Sequence, residues 1–194
     1  MNTNSGKRSL RYEIFDLIKF TLVILAIVIP IRAFIAQPFI VNGESMVPTF
    51  ENGDYLIIDE ISYRGSEPER GDVIVFRFPT DQKRFLIKRV IGLPGEEVVI
   101  TGNKITITKN DGEIIQLYED YLNGEFSSYG TWELRENEYF VLGDNRQKSS
   151  DSRQWGIVTR DLIVGKTLLR LFPLSGLKWR PGTESPSNIE TVLE

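Results

Sequence analysis

Residues 17–36 read LIKFTLVILAIVIPIRAFIA, a run of 20 in which only Lys19 and Arg32 carry charge. As a helix the run would be about 30 Å long, which matches the hydrocarbon core of a bilayer. It is apolar on every face rather than along one stripe, unlike a helix that covers a globular core. Lys19 and Arg32 lie near its ends, where long cationic side chains reach the interface. Pro30 is tolerated late in such a helix. The run predicts a transmembrane anchor over 17–36 behind a tail of residues 1–16.

Basic residues orient this span. Lys7, Arg8, Arg11 and Lys19 lie before it or just inside it, and after Arg32 the next basic residue is Arg64. This predicts a single-pass protein of the cell membrane, with a cytoplasmic N-terminus and an extracytoplasmic domain beyond residue 36. A cleaved leader fits less well. A cut after Ala36 would put Phe34 two residues earlier and Pro38 just past it, and neither suits processing. The first 36 residues hold five basic and two acidic side chains, and the rest hold 18 and 25, a net charge of −7. That balance argues against nucleic acid as a partner, and against coating anionic lipid by charge.

Beyond the span, β signals dominate. Short apolar runs at 55–58, 73–78, 85–91, 97–100, 104–108, 113–117, 138–142 and 162–172 are separated by turns such as Asn52-Gly53-Asp54 and Arg70-Gly71-Asp72. Single helical turns are compatible with 120–122 and 159–162. The pattern predicts a mainly β, antiparallel domain over 37–180. Residues 181–194 are polar, contain Pro and Ser, and read as a flexible tail.

The chain contains no His and no Cys. A Ser-His-Asp triad, a cysteine nucleophile and a thiolate or imidazole metal site are therefore excluded. Neither metal nor organic cofactor is expected. A hydrolase built from this chain needs Lys, a carboxylate or bound water as its base.

Three segments carry candidate chemistry. Ser45 lies in Gly43-Glu44-Ser45-Met46-Val47-Pro48, nine residues past Ala36, so at most about 30 Å of chain separates it from the membrane. Lys88 lies in Phe85-Leu86-Ile87-Lys88-Arg89-Val90-Ile91. Strand alternation puts Leu86 and Val90 on its own face, and such surroundings lower a lysine pKa. The adjacent Arg89 cannot be a base, because guanidinium stays protonated. The third segment, residues 143–153, contains Asp144, Arg146, Ser149, Asp151 and Arg153. Read singly, each has a plain structural alternative: a turn serine, an edge lysine, an elaborate loop.

Taken together the segments resemble bacterial type I signal peptidases, membrane-anchored Ser/Lys proteases. The matching stretches are residues 45–49, 71–76, 88–96 and 143–146, with Ser149, Asp151, Ser152 and Arg153. They occur in family order, and the resemblance spans roughly residues 15 to 175. It implies a serine endopeptidase that cleaves preproteins after small residues, at Ala-x-Ala-like sites. Ser45 would be the nucleophile and Lys88 the general base, with Ser149 holding the Lys88 amine. Asp151 and Arg153 would form a structural ion pair, and Asp144 and Arg146 would brace the same loop. Phe39, Val41 and Ile87 would shape shallow pockets for an extended substrate, and residues 96–137 would be a small β insertion. Many relatives carry Ser two residues before the nucleophile; here that position is Gly43, as in the form common in single-membrane bacteria. Self-cleaving repressors share a Ser/Lys dyad, but they are cytoplasmic and lack such a span.

Overall fold

The computed structural model describes residues 10–34, 36–119, 122, 126–182 and 188–191, with backbone alone at 10, 11, 27, 29–34, 36 and 188–191. The chain divides into two units, residues 1–36 and 37–194. The first contains helix α1 (Leu10–Phe34). Leu22, Val23, Ile24 and Leu25 are all exposed on it. Successive helical residues point about 100° apart, so four in a row leave no polar face at that level. Among the described residues, no helix is long and apolar enough to cross a membrane. The span expected over 17–36 lies partly outside those residues, at position 35 and at the side chains of 27, 29–34 and 36.

The second unit is mainly antiparallel β. Its strands are β1 (Ala36–Ile40), β2 (Tyr55–Asp59), β3 (Val73–Phe78), β4 (Asp81–Gly92), β5 (Glu97–Gly102), β6 (Lys104–Thr108), β7 (Ile114–Tyr118), β8 (Ser128–Glu133) and β9 (Glu138–Leu142). After a short helix, α2 (Ser152–Trp155), come β10 (Val158–Thr159), β11 (Ile163–Phe172), β12 (Lys178–Trp179) and β13 (Asn188–Thr191). Where one face of a strand meets the core, alternate residues are buried: Leu56 and Ile58 in β2, Val98 and Ile100 in β5, Ile105 and Ile107 in β6. This is the period-2 pattern of a half-buried strand. In β3 four consecutive residues, Val73 to Phe76, are buried, so both of its faces are covered.

The larger sheet has the order β1-β2-β11-β3-β4-β9-β10, with β12 on β11. Two apolar clusters flank it. One contains Ile74, Phe76, Val90 and Tyr139, with Leu86 packed against it. The other contains Val41, Met46, Phe50 and Val75, with Phe39 and Ile87 packed against it. Leu86 and Val90 therefore share a face of β4, as their spacing predicts, and Ile87 lies on the other.

The smaller sheet has the order β13-β7-β6-β5-β8. Strands β5 to β8 occupy the expected insertion, and their core joins that of the larger sheet through Ile91, Phe140 and Leu142. Strand β13 departs from the expected flexible tail. Residues 188–191 pair antiparallel with β7, from Asn188 opposite Tyr118 to Thr191 opposite Ile115. Pro181 and Gly182 are buried, and Thr167 Oγ1 donates to the Pro181 carbonyl at 2.9 Å. Polar composition hid this because a strand added at a sheet edge is held by backbone hydrogen bonds, which no side-chain pattern reports. The expected turn at 120–122 falls largely outside the described residues, whereas 159–162 does contain a 3₁₀ turn, Arg160–Leu162.

Candidate active site

Ser45 lies in the turn that follows β1. Met46 and Phe50, both fully buried, pin this turn to the core, and the Phe50 N–H donates to the Met46 carbonyl at 2.9 Å. Gly43 has φ +100 and a Cβ there would meet nothing within 4 Å, so glycine is needed for conformation rather than for space. The Gly43 N–H is occupied by Asn52 Oδ1 at 2.9 Å. From the other side, the Asn145 N–H donates to the Ser45 carbonyl at 3.0 Å.

Lys88 is on β4, opposite Ile74 of β3. Its side chain is buried, yet its Nζ lies 2.8 Å from Ser45 Oγ and donates to the Ile87 carbonyl at 2.8 Å. Burial pushes the Lys88 pKa down to about 8, against the opposing pull of Asp151 and Asp144. The physical cause is loss of water around the ammonium, which favours the neutral amine. A cleft of about 300 Å³ opens beside the pair, and Phe39, Val41, Leu56 and Ile87 contribute to its walls. A serine hydroxyl and a lysine amine in contact, both lining a partly apolar cleft, have the arrangement needed for nucleophilic catalysis by a base other than histidine.

The surroundings of the pair depart from the sequence expectation at Ser149. Ser149 is buried, but its hydroxyl makes no hydrogen bond among the described residues and none to Lys88. It packs instead against Gly143, while the Lys88 amine uses Ser45 and the carbonyl of its own strand. Asp144 braces the loop through Arg89. It accepts from Arg89 Nε at 2.9 Å and Arg89 Nη2 at 2.6 Å, and from Thr49 Oγ1 at 2.5 Å. Arg146 meets Glu119, with Nη2 at 2.6 Å from both carboxylate oxygens, and its Nε donates to the Gly143 carbonyl at 3.0 Å. Arg153 lies 2.7 Å from Asp151 through Nε and 2.8 Å through Nη2. Asp151 Oδ2 also accepts from the Gly143 N–H at 3.1 Å.

Arg89, Thr49, Asn145 and Glu119 were not foreseen as parts of this site. Arg89 carried a usable signal: a guanidinium in the apolar half of a strand must be buried with a partner. It is 1 % exposed, and it also donates to the carbonyls of Gly71 at 2.9 Å and Gly182 at 2.5 Å. Nothing local marked Glu119. Among the described residues no group of three or more His, Cys, Asp or Glu side chains could hold a metal ion.

Comparison with known proteins shows the family. The family described as "Signal peptidase, peptidase S26" matches residues 14–172. A probable signal peptidase I-2 of Synechocystis is 40 % identical over 161 residues, 79 % of this chain and 70 % of that protein. Signal peptidase IB of Staphylococcus aureus is 29 % identical over 194 residues, 92 % of this chain and 100 % of that protein. A crystal structure of a signal peptidase I from Enterococcus faecalis, 34 % identical, covers 52 % of this chain and 97 % of its own, with a TM-score of 0.45. The chain belongs to the signal peptidase family, peptidase S26, the serine peptidases that remove signal peptides from preproteins.

Proposed function

We propose that Ser45 and Lys88 form the catalytic dyad of a signal peptidase that cuts preproteins after small residues. The observation that carries this reading is the 2.8 Å contact between Lys88 Nζ and Ser45 Oγ, made by a lysine whose burial brings its pKa to about 8. With the amine neutral, the serine hydroxyl donates to it. Ser45 Oγ attacks the carbonyl carbon of the scissile peptide while its proton passes to Lys88 Nζ. Lys88 then gives that proton to the departing amine. A water, deprotonated by Lys88, hydrolyses the acyl-enzyme and regenerates the hydroxyl. The Ser45 N–H is a donor for the oxyanion; Gly43 N–H, already held by Asn52, is not its companion.

β1 is a terminal strand of the larger sheet, so an extended substrate can add along it toward Ser45. Phe39, Val41 and Ile87 narrow the cleft and favour Ala-sized side chains one and three residues before the cut. Residues 1–16, 17–36, 37–180 and 181–194 serve as cytoplasmic tail, transmembrane anchor, extracytoplasmic catalytic domain and C-terminal segment. The exposed apolar side chains all round α1 support the anchor, because such a surface needs a non-aqueous surrounding. The bilayer and signal-peptide-bearing preproteins are then the partners.

A preprotein with every residue tried at the positions one and three before its cleavage site tests the specificity. Cleavage restricted to Ala, Gly and Ser there is expected; equal cleavage after Leu or Phe would overturn it. Extraction of the full-length protein from membranes by alkaline carbonate would overturn the anchor.

A further inference from the structure

We propose that the β insertion positions the catalytic serine, and that Glu119 is the positioning residue through which it acts. The proposal rests on the Ser45/Lys88 reading. Glu119 directly follows β7, and its side chain and that of Arg146 are each 3 % exposed. Both Glu119 oxygens lie 2.6 Å from Arg146 Nη2. Arg146 Nη1 makes no hydrogen bond among the described residues, so this nitrogen offers no alternative hold on the larger sheet. A second insertion residue, Phe126, has its ring 5.0 Å from the Arg146 guanidinium and 5.8 Å from that of Arg153. Phe126 belongs to the apolar cluster that contains Leu142, the residue before Gly143.

What Arg146 holds is the wall behind the nucleophile. Its Nε grips the Gly143 carbonyl at 3.0 Å, and its own carbonyl accepts from Arg153 Nη2 at 2.7 Å. The turn so clamped, residues 143–146, presents the Asn145 N–H to the Ser45 carbonyl at 3.0 Å. The turn has no slack toward Ser45: a Cβ on Gly143 would meet the Ser45 carbonyl oxygen at 2.5 Å. A shift of Arg146 is therefore passed to Ser45 by contact. Displacement of a reacting group by about 1 Å costs on the order of a hundredfold in rate. The substrate cleft lies on other elements, along Phe39, Val41 and Ile87, so substrate binding is spared.

Glu119→Gln keeps the shape of the side chain and leaves Arg146 with no carboxylate. The test compares full-length parent, Glu119→Gln, Glu119→Asp and Phe126→Leu on a peptide substrate, with active sites counted by a reagent that acylates Ser45. The expected result is a fall in kcat per counted site of about tenfold or more in Glu119→Gln. KM should change less than about twofold, and Glu119→Asp should recover part of the loss because the charge is kept. A purely structural role would lower the number of counted sites but not kcat per site. If Glu119→Gln does not fold, Phe126→Leu carries the test with the same expected direction. Unchanged kcat per site in the folded variants would overturn the proposal. Failure of the dyad reads differently, as absence of labelling at Ser45 in the parent, and overturns this inference with it.

Discussion

Lys88 Nζ and Ser45 Oγ lie 2.8 Å apart across 43 residues of sequence. The lysine comes from the middle of a strand and the serine from a turn pinned by Met46 and Phe50. This pair sets the chemistry, and most of the expected outcomes follow from it.

Ser45→Ala removes the attacking oxygen and one partner of a single amine. Preprotein cleavage should fall by more than about a thousandfold, while stability changes by no more than about 1 kcal/mol. Kinetics beside a urea melt check both halves. Residual turnover near the parent rate would rule out Ser45 as nucleophile.

Lys88 acts as a base only when neutral. Its pKa of about 8 means that kcat/KM should rise as pH passes through 8, as the amine loses its proton. Lys88→Arg should be as inactive as Lys88→Ala, because guanidinium does not deprotonate in this range. A pH–rate profile on the parent, with both variants at pH 8.5, decides it.

The same lysine weakens the fold. Its folded pKa of about 8 lies below the ordinary 10.5, so between those values the unfolded chain binds more protons and stability rises with pH. Below pH 8 the cost is fully present, roughly 3 kcal/mol. Lys88→Met should therefore be the more stable protein at pH 7 by an amount approaching this, and the difference should shrink toward pH 10.5. Urea midpoints at several pH values would show a constant gap if burial of the ammonium were not the cause.

Asp144→Asn leaves the Arg89 guanidinium, 1 % exposed, without its carboxylate. Breaking a buried pair from one side costs roughly 3–5 kcal/mol. Arg89→Lys should also be poorly tolerated, since one ammonium cannot serve Asp144, Gly71 and Gly182 together. Thermal melts of the two variants measure this.

Gly143→Ala drives a Cβ to 2.5 Å from the Ser45 carbonyl oxygen and into Ser149. Backbone has to move, so both stability and kcat should fall, kcat by more than tenfold by the estimate of about a hundredfold per ångström. A variant with parental kcat would show that the 143–146 turn is free of Ser45.

Much of this was readable along the chain. Short apolar runs bounded by turn residues marked β2, β3, β5, β6 and β9 within a residue or two, because both the run and the turn are local patterns. The absence of His and Cys left Lys, a carboxylate or water as the base for a serine, and Leu86 and Val90 marked Lys88 as a lysine whose pKa burial would lower. Other features had no local signal. Strand β8, Ser128-Tyr129-Gly130-Thr131-Trp132-Glu133, contains no apolar run and reads as loop until β5 pairs with it.

The sequence by itself determined the strand-rich class, the apolar run at 17–36 and which residue types were available for chemistry, since each depends on neighbours within a few positions. Which charges meet was decided only in three dimensions. Asp144 takes Arg89, 55 residues away, rather than Arg146 two residues on. Arg146 takes Glu119 from the insertion, and Ser149 is left against Gly143. Residues 188–191 find the edge of β7. The physical reason is common to the two ion pairs and the added strand. A buried charge or an open strand edge must be satisfied by whatever group the sheet register brings within about 3 Å, and register is a property of the closed sheets, not of any one segment.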